Sequence, residues 1–375
     1  MATIFYSMSG EGRGHATRVK AIVEDLRLRH RVVLFAPEQA YSLLEPVFSG
    51  TDVEIRRIDG ITFRYRRDGR VGYVRSLLGS LKWFSGLGRQ LEELRPVFLM
   101  ERPDLVLTDF DPVLPRAADR MGVPYASIDH QHFLTSFPLE GLPFRLRLRA
   151  SVMVPFVKAF HWRQKMTIIS SFYRPPSHAR LPEGVRAVGV LLGEDIRAKV
   201  PRDDGFLLAY LRRDPPQTVL DALAGSGREV RIYGPTRSDR VGNLWFRPVD
   251  RATFVDDLAC CHALVTTAGN QLVGEAIHLG KPVLALPEPG NWEQRINGFH
   301  LERMGAGMSV RMESFDRSAL SRFLGDIDRF RSIASRQEVC GNEDVSRIVE
   351  ELLARLPSRR SAQGKGIPSI AAGAK

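Results

Sequence analysis

The chain has 375 residues, with 54 Lys and Arg against 43 Asp and Glu, which gives a formal net charge of +11. Its 43% hydrophobic and 26% charged residues are typical of a globular protein and exclude a disordered, collagen-like or disulfide-scaffold chain. No run approaches the ~18–20 apolar residues of a membrane-spanning helix, and the first residues lack a signal peptide's basic leader and cleavage site. The only cysteines, Cys260, Cys261 and Cys340, indicate neither a disulfide framework nor a zinc site. We therefore expect a cytoplasmic protein.

Short β-branched runs alternate with longer amphipathic stretches along the chain, a pattern typical of βαβ units in parallel sheets. The predicted strands of the first half are 3–8, 31–36, 53–58, 105–109, 125–129 and 167–170. Those of the second half are 206–211, 230–233, 244–246, 263–267 and 282–286. A segment rich in Pro and charged residues separates the two sets. This predicts a Rossmann-like domain over residues 1–190, a second over 191–357 and a disordered basic tail over 358–375.

Two segments combine basic and aromatic residues. Residues 61–90 contain seven basic residues and one acid, and residues 141–166 contain basic residues, Phe and Trp but no acid. Such segments suit an anionic membrane surface, and a solvated face over a core helix is the equal alternative. No zinc finger, RRM signature or clear helix-turn-helix indicates a nucleic-acid partner.

A glycine-rich loop follows the first predicted strand at residues 9–18 and leads into an apolar-periodic helix. Glycines there allow close approach of a ligand to the amides at the helix start. The G-x-G-x-G-H spacing that ends in Gly14 and His15 differs from the dinucleotide fingerprint and from a P-loop. His15, at the carboxyl end of a strand, suits proton abstraction from a hydroxyl. A plain strand-to-helix turn with a buried or capping histidine is the alternative.

The second half carries a longer constellation. A strand ends at Thr267, and Gly269 permits a close approach before a helix whose first amides can receive a diphosphate. Glu275 follows within that helix and can accept hydrogen bonds from two ribose hydroxyls. Glu293 and Gln294 lie after the next strand and offer the acceptor and amide atoms that sugar hydroxyls require.

This segment resembles the nucleotide-sugar site of the GT-B glycosyltransferases, particularly the family 28 type, which includes the transferase adding N-acetylglucosamine to lipid-linked peptidoglycan precursor. The matching residues are Ala268-Gly269, Glu275-Ala276, Gly280, Pro282, Pro287, Glu293-Gln294 and Asn297-Gly298, with Gly14-His15 in the first half. The resemblance implies that Glu275 holds the donor ribose, and Gly269 and Asn270 the diphosphate. It implies that Glu293, Gln294 and Asn297 hold the transferred sugar, and that His15 is the base.

Three departures from the family pattern shape the prediction. Leu272 replaces the motif's Thr, so Thr266, Thr267 or Asn270 would have to supply that phosphate contact. The His-Gly-Gly phosphate loop of the macrolide-type branch is absent. Thr267 occupies the position of the first Glu in the retaining E-x7-E pattern, which favours inversion.

Other polar clusters follow predicted strands. Asp109-Phe110-Asp111 spells D-x-D, but we interpret Asp109 as a cleft residue that orients His15 or contacts the acceptor, with a strand-end turn as the alternative. His130 and His132 lack a third ligand at metal spacing, and acceptor contacts are favoured there. Arg212 and Arg213 could clamp a phosphate or lie in a solvated loop.

The sequence thus predicts an α/β protein with the GT-B architecture, two doubly wound parallel sheets facing across a cleft. The expected activity is inverting, metal-independent transfer of a sugar from a UDP-type donor to a hydroxyl, without a cofactor. The expected acceptor is a lipid-linked or envelope glycan, with attachment to the inner face of the cytoplasmic membrane if the basic segments contact lipid. A UDP-sugar 2-epimerase and a non-catalytic nucleotide-sugar-binding peripheral membrane protein are the alternatives.

Overall fold

The computed structural model describes residues 1–10, 13–60, 73–160, 163–212 and 214–356, and the side chains of 73–85 are outside the description. Several predicted features therefore fall outside the described residues: positions 11–12 of the glycine loop, most of the first basic segment, Arg213 and the tail at 358–375. In the part of the chain that is described, no helix is both long enough and apolar enough to cross a bilayer.

The first half of the chain builds one parallel sheet with helices on both faces. Its elements are β1 (Thr3–Met8), α1 (Arg13–Leu26), β2 (Arg31–Pro37), α2 (Glu38–Phe48), β3 (Glu54–Ile58), α3 (Tyr73–Glu101), β4 (Leu105–Asp109), α4 (Val113–Arg120), β5 (Tyr125–Asp129), α5 (Phe133–Ser136), α6 (Phe144–Phe160), β6 (Met166–Ser170) and β7 (Val185–Val188). The strand order is β3-β2-β1-β4-β5-β6-β7. The order reverses between β1 and β4, where the carboxyl ends of open parallel sheets form a ligand crevice.

The second half builds a similar sheet. Its elements are α7 (Glu194–Arg197), β8 (Leu207–Tyr210), α8 (Gln217–Ala224), β9 (Val230–Tyr233), β10 (Arg240–Val241), β11 (Leu244–Arg247), α9 (Arg251–Cys260), β12 (Ala263–Thr266), α10 (Asn270–His278), β13 (Val283–Ala285), α11 (Trp292–Met304), β14 (Gly307–Ser309), α12 (Arg317–Gly325), α13 (Ile327–Ala334) and α14 (Asn342–Arg355). The order is β10-β11-β9-β8-β12-β13-β14, and only the pairing of β10 with β11 is antiparallel among the described strands. Here the order reverses between β8 and β12.

The predicted parallel-sheet architecture is confirmed, and each predicted strand corresponds to an observed one within a residue or two. Three strands were not predicted. β7 lies in the Pro- and charge-rich segment that the sequence suggests is a linker, and only its two end residues are buried. β10 has two exposed residues and β14 begins at a glycine, so neither carries a periodic apolar signal.

The last helix returns to the first domain, although the sequence-based division places it in the second. Apolar residues of α14 pack into the core around β1, β2 and α1: Val345, Ile348, Val349 and Leu352. The chain therefore crosses between the domains twice. The two crossings lie side by side, since Val190 and Cys340 form a parallel bridge and the amide of Gly341 donates to the Val190 carbonyl at 2.9 Å. A Cβ on Gly189 would lie 2.1 Å from the Val339 carbonyl oxygen, so this close approach requires glycine.

Candidate functional site

A cleft of about 750 Å³ lies between the carboxyl edges of the two sheets. Residues predicted as functional line both of its walls: Gly14 and His15 from the first domain, and Arg212, Thr267, Gly269, Asn270, Glu275, Glu293 and Gln294 from the second. Asp109, Ala268 and Asn297 are fully buried behind this surface. The two glycine loops face one another, because a Cβ on Gly14 would lie 3.8 Å from Cβ of Gln271 on α10.

His15 and Asp109 form a hydrogen-bonded pair at the switch point of the first sheet. Met8 and Asp109 end the adjacent strands β1 and β4 in register, and His15 follows in the first turn of α1. Nδ1 of His15 lies 2.8 Å from Oδ1 of Asp109, and the imidazole is 14% exposed. Burial acts to raise the pKa of Asp109, but the neighbouring Arg18 and His15 outweigh it and lower that pKa. An ionised carboxylate must accept from Nδ1–H, which leaves the imidazole lone pair on Nε2.

Arg18 is a member of this cluster that the sequence reasoning did not single out. Its Nε lies 2.8 Å from Oδ2 of Asp109, and its Nη2 lies 2.7 Å from Oδ1. The side chain is 3% exposed. One signal could have found it: Arg18 is three residues after His15, so the two side chains share a helix face.

The D-x-D sequence is a strand-end turn whose two carboxylates have different partners. Oδ2 of Asp111 accepts from the amide of Leu114 at 2.9 Å and so holds the first turn of α4. Phe110 between them has φ of +55°, a left-handed conformation that is uncommon for residues other than glycine. This turn directs Asp109 toward α1 and Asp111 toward α4.

The loop between β12 and α10, which the sequence predicts to bind the donor and which is called the donor loop below, has similar backbone geometry. β12 ends at Thr266, Ala268 has φ of +65°, and Gly269 is the N-cap residue of α10. Strained residues of this kind cluster at ligand sites. Gly269 has an ordinary φ of −65°, and a Cβ added to it would meet no atom within 4 Å. The space above Gly269 therefore opens to the cleft beside the first amides of α10.

Two asparagines predicted as donor ligands use their side chains to join the domains. Asn270 accepts from the amide of Phe172 at 3.2 Å and donates to the Ser170 carbonyl at 3.1 Å. Asn297 donates to the Ala268 carbonyl at 3.0 Å, and its Oδ1 lies 3.1 Å from Nε2 of His130. The structure thus places both amide groups in interdomain contacts, and the backbone amide of Asn270 remains at the start of α10.

Glu275 lies on α10, 1% exposed, at the wall of the cleft. Its carboxylate lies 3.3 and 3.4 Å from the two Nη atoms of Arg251 and 3.3 Å from Nε2 of Gln271. Burial lowers the pKa of Arg251, but Glu275 and Asp195 raise it overall. The predicted ribose-binding carboxylate is therefore inside the cleft and held in place by a cation that the sequence did not indicate.

The remaining predicted residues lie around the same cleft. Gln294 is in the first turn of α11, where its side chain bonds both the amide and the carboxylate of Glu288. Nη1 of Arg212 lies 3.7 Å from the Glu288 carboxylate. Glu293 lines the cleft beside Gln294. His132 pairs with Asp129, with Nδ1 2.7 Å from Oδ2, whereas His130 lines the cleft.

Comparison with known proteins gives the family. A profile of glycosyl transferase family 1 matches residues 2–328. The UDP-glycosyltransferase stmC of Aspergillus ustus is 24% identical over 251 residues, which are 65% of this chain and 42% of that relative. This chain therefore spans less than half of the curated relative that it matches.

Solved glycosyltransferases share the fold. The glycosyltransferase of kitacinnamycin superposes with a TM-score of 0.67 at 16% identity, covering 94% of this chain and 99% of its own. Arabidopsis thaliana UGT89C1 in complex with UDP-L-rhamnose gives a TM-score of 0.66 at 16% identity, covering 95% and 99%. These structures confirm the expected GT-B architecture. Because the family profile spans most of its length, the chain belongs to glycosyl transferase family 1.

Proposed function

We propose that this glycosyltransferase moves a sugar from a UDP-type donor, bound to the second domain, to an acceptor hydroxyl bound to the first domain, with inversion. The observation that carries the proposal is the 2.8 Å contact between His15 and Asp109 in a cleft whose opposite wall is the donor loop. In the proposal, this pair supplies the base on the wall that faces the expected position of the sugar. General base catalysis of this kind contributes about 10²–10⁴ in rate.

The proposed reaction is a single displacement. Nε2 of His15 takes the proton of the acceptor hydroxyl while the acceptor oxygen bonds to the anomeric carbon. The bond from that carbon to the diphosphate breaks on the opposite face, and the nucleoside diphosphate leaves with the electron pair. Asp109 accepts from Nδ1–H throughout and fixes the ring so that Nε2 faces the acceptor.

The leaving diphosphate gains negative charge, which the donor loop is arranged to stabilise. The first amides of α10 lie beside the open space above Gly269, and Arg212 lies on the same wall. Fixed dipoles and cations around a developing charge are usually the largest catalytic contribution. Thr267 lies beside them, and its hydroxyl is proposed to make the phosphate contact of the motif's Thr, which is Leu272 in this chain.

The nucleotide is the part of the donor with the clearest support. Glu275, buried on the cleft wall, has the two oxygens that neighbouring ribose hydroxyls require. The relative from Aspergillus ustus is a UDP-glycosyltransferase, and UGT89C1 was solved with UDP-L-rhamnose. Glu293 and Gln294 are proposed to face the sugar. The closer likeness to the family 28 type stays a prediction.

The acceptor is proposed to be apolar next to its reacting hydroxyl. The first-domain side of the cleft is formed by apolar residues of α2 and α6: Leu43, Leu44, Val47, Val152, Met153, Phe156 and Val157. Such a wall suits a lipid-linked or otherwise hydrophobic acceptor. A polar glycan without an apolar group would leave these apolar side chains exposed to water.

The same helix supports peripheral attachment to an anionic membrane. Phe144, Leu148 and Val152, spaced by four residues on one face of α6, are 69%, 55% and 68% exposed. Arg145, Arg147 and Arg149 lie between them, and residues 141–165 contain no acid. Exposed apolar side chains between arginines fit the boundary of headgroups and acyl chains. The stripe continues into the cleft through Val152, so a lipid-linked acceptor could enter from the bilayer.

Release of UDP separates the proposal from its alternatives. The protein is incubated with UDP-sugars, with and without a lipid extract that contains acceptor hydroxyls. Transfer predicts UDP release that requires the acceptor, whereas an epimerase yields an isomerised sugar without it, and a binding protein yields neither. His15→Ala should lower the transfer rate by about 10²–10⁴ and retain affinity for UDP. His178→Ala, at an exposed position, is the control.

Attachment is tested by sedimentation with vesicles. We expect the protein to bind vesicles that contain phosphatidylglycerol and to bind vesicles of phosphatidylcholine alone only weakly. The triple variant Phe144→Ser/Leu148→Ser/Val152→Ser should lose binding. Equal sedimentation of that variant and the native chain would remove α6 from the proposal.

A further inference from the structure

The guanidinium of Arg18 occupies the same carboxylate that orients His15. It donates to both oxygens of Asp109, and its Nη2 also lies 3.1 Å from Nδ1 of His15. A guanidinium has no lone pair to offer, so this last contact places a fixed positive charge beside the ring. His15, Asp109 and Arg18 therefore form one buried cluster of three charged or chargeable groups.

This charge changes what Asp109 does to the base. A carboxylate alone next to a histidine stabilises the protonated imidazolium and so fills the lone pair that catalysis needs. Arg18 brings an equal and opposite charge to the same oxygens, and the pair is neutral before the reaction. Asp109 can then orient the ring without causing it to bind a proton in the resting cleft.

The tautomer follows from the same contacts. If Nδ1 of His15 accepted a hydrogen bond from Nη2 of Arg18, the ring proton would lie on Nε2. The lone pair of Nδ1 would then face a lone pair of Oδ1 of Asp109 across 2.8 Å, which is unfavourable. Burial acts against both charges, but Arg18 lowers the pKa of Asp109 and Asp109 raises the pKa of Arg18, so the carboxylate is ionised. The ionised oxygen therefore requires Nδ1–H and leaves Nε2 as the base.

We infer that Arg18 is a positioning residue, which holds Asp109 as an ionised acceptor and offsets its charge so that His15 remains an unprotonated base. The inference depends on the proposed role of His15. Other titratable groups face the cluster from neighbouring elements. Tyr6 on β1 and Asp129 on β5 interact electrostatically with Arg18, and His130 interacts with both Arg18 and Glu293. They are unchanged in the variants below.

The test compares pH dependences in variants that change charge or geometry separately. Arg18→Met removes the charge and the hydrogen bonds but keeps a long stem, and Arg18→Lys keeps the charge. Two readouts are used: the acidic limb of kcat/KM, and the NMR titration of the His15 ring, assigned by its loss in His15→Ala. In Arg18→Met both midpoints should move to higher pH by about one unit or more. In Arg18→Lys both midpoints should stay within a few tenths of a pH unit of those of the native chain. The affinity for UDP should not change in either variant.

An equal loss of rate at every pH in Arg18→Met, with an unmoved His15 midpoint, would show a structural role and overturn the inference. If Arg18→Met does not fold, Asp109→Asn and the double variant Arg18→Met/Asp109→Asn decide. Asp109→Asn leaves the Arg18 charge unopposed, so its His15 midpoint should lie about one unit below that of the double variant. Equal His15 midpoints in Asp109→Asn and in the double variant would overturn the inference. The NMR titration needs no acceptor, so a failure to find sugar transfer would count only against the proposed function.

Discussion

Nε2 of His130, just after β5, lies 3.1 Å from Oδ1 of Asn297 on α11, and this contact joins the two domains behind the cleft. The other end of the same amide donates to the carbonyl of Ala268, the residue with φ of +65° in the donor loop. One buried side chain therefore connects the first domain to the loop proposed to bind diphosphate. The contact makes the geometry of that loop depend on domain closure.

Asn297→Ala should lower both stability and donor affinity. Two buried hydrogen bonds are lost, each worth about 1 kcal/mol, and the Ala268 carbonyl and His130 lose a partner. Urea unfolding should show a loss of about 2 kcal/mol, and calorimetric titration should show weaker binding of UDP. Asn297→Asp keeps an oxygen for His130 but no donor for Ala268, so it separates the two bonds. Native UDP affinity in Asn297→Ala would disconnect this contact from the donor site.

Gly269→Ala should leave the fold intact and weaken donor binding. Its φ of −65° suits alanine and a Cβ there meets no atom within 4 Å, so we expect at most a small loss of stability, since alanine is a poorer N-cap residue than glycine. The new methyl group would occupy the space proposed for the diphosphate. Gly274→Ala on the same helix is the matched control, because its Cβ would lie 2.5 Å from Val190 and should reduce stability rather than affinity. Thermal unfolding and UDP titration of both variants check that Gly269→Ala mainly lowers affinity and Gly274→Ala mainly lowers stability.

Glu275→Ala should weaken UDP binding through the ribose. Loss of charge-assisted hydrogen bonds, each worth about 1.5–3 kcal/mol, predicts a decrease in affinity of at least tenfold. If Glu275 contacts the ribose hydroxyls, the native protein should also bind 2′-deoxy- or 3′-deoxy-UDP more weakly. Glu275→Ala should then show little further loss with the deoxynucleotides. If the losses from Glu275→Ala and from removal of a hydroxyl were fully additive, the ribose hydroxyls would contact residues other than Glu275.

His300 predicts a pH dependence of stability. Its ring stacks on Tyr173 of the first domain at 3.9 Å between centroids. Burial, and then the charges of Arg303 and His130, lower the pKa of His300 to about 4. The unfolded chain therefore binds the proton more readily than the folded one, so the stability is complete above about pH 6.5 and is lost as the pH falls toward 4.

This contribution should reach about 2 kcal/mol between pH 7 and pH 5. Carboxylates also titrate on acidification, so the measurement is the difference between the native chain and His300→Phe, which keeps an aromatic ring against Tyr173. Urea unfolding at both pH values should show a smaller loss on acidification in the variant. An equal loss in both proteins would contradict the assignment to His300.

The sequence predicted those features that depend on local pattern. Alternating apolar runs marked the strands of both sheets, and glycines after β1 and β12 marked the loops at the two switch points. His15, Gly269 and Glu275 were predicted as cleft residues because each lies in the loop or the first two helical turns after a strand, and all three line the cleft. These loops face one another because both sheets are parallel, with their carboxyl ends at the cleft.

The rest depends on contacts between distant positions. Arg18 and Asp109 are 91 residues apart, and in the sequence only the position of Arg18 one helical turn after His15 connects the two. The same holds for Asn270 and Asn297, whose amides bond to the first domain instead of remaining available to a ligand. α14 has an ordinary amphipathic pattern, and only tertiary packing decides which domain it covers.

The paired crossings at Val190 and Cys340 limit how the two domains can move apart. A rigid-body rotation of one domain must bend both crossings at once, so the hinge axis has to pass close to this bridge. Sliding of one domain past the other would break the bridge, and bulky side chains at Gly189 would push the crossings apart. The arrangement also means that a fragment ending at residue 190 would lack α14 and leave the first domain with an uncovered apolar face.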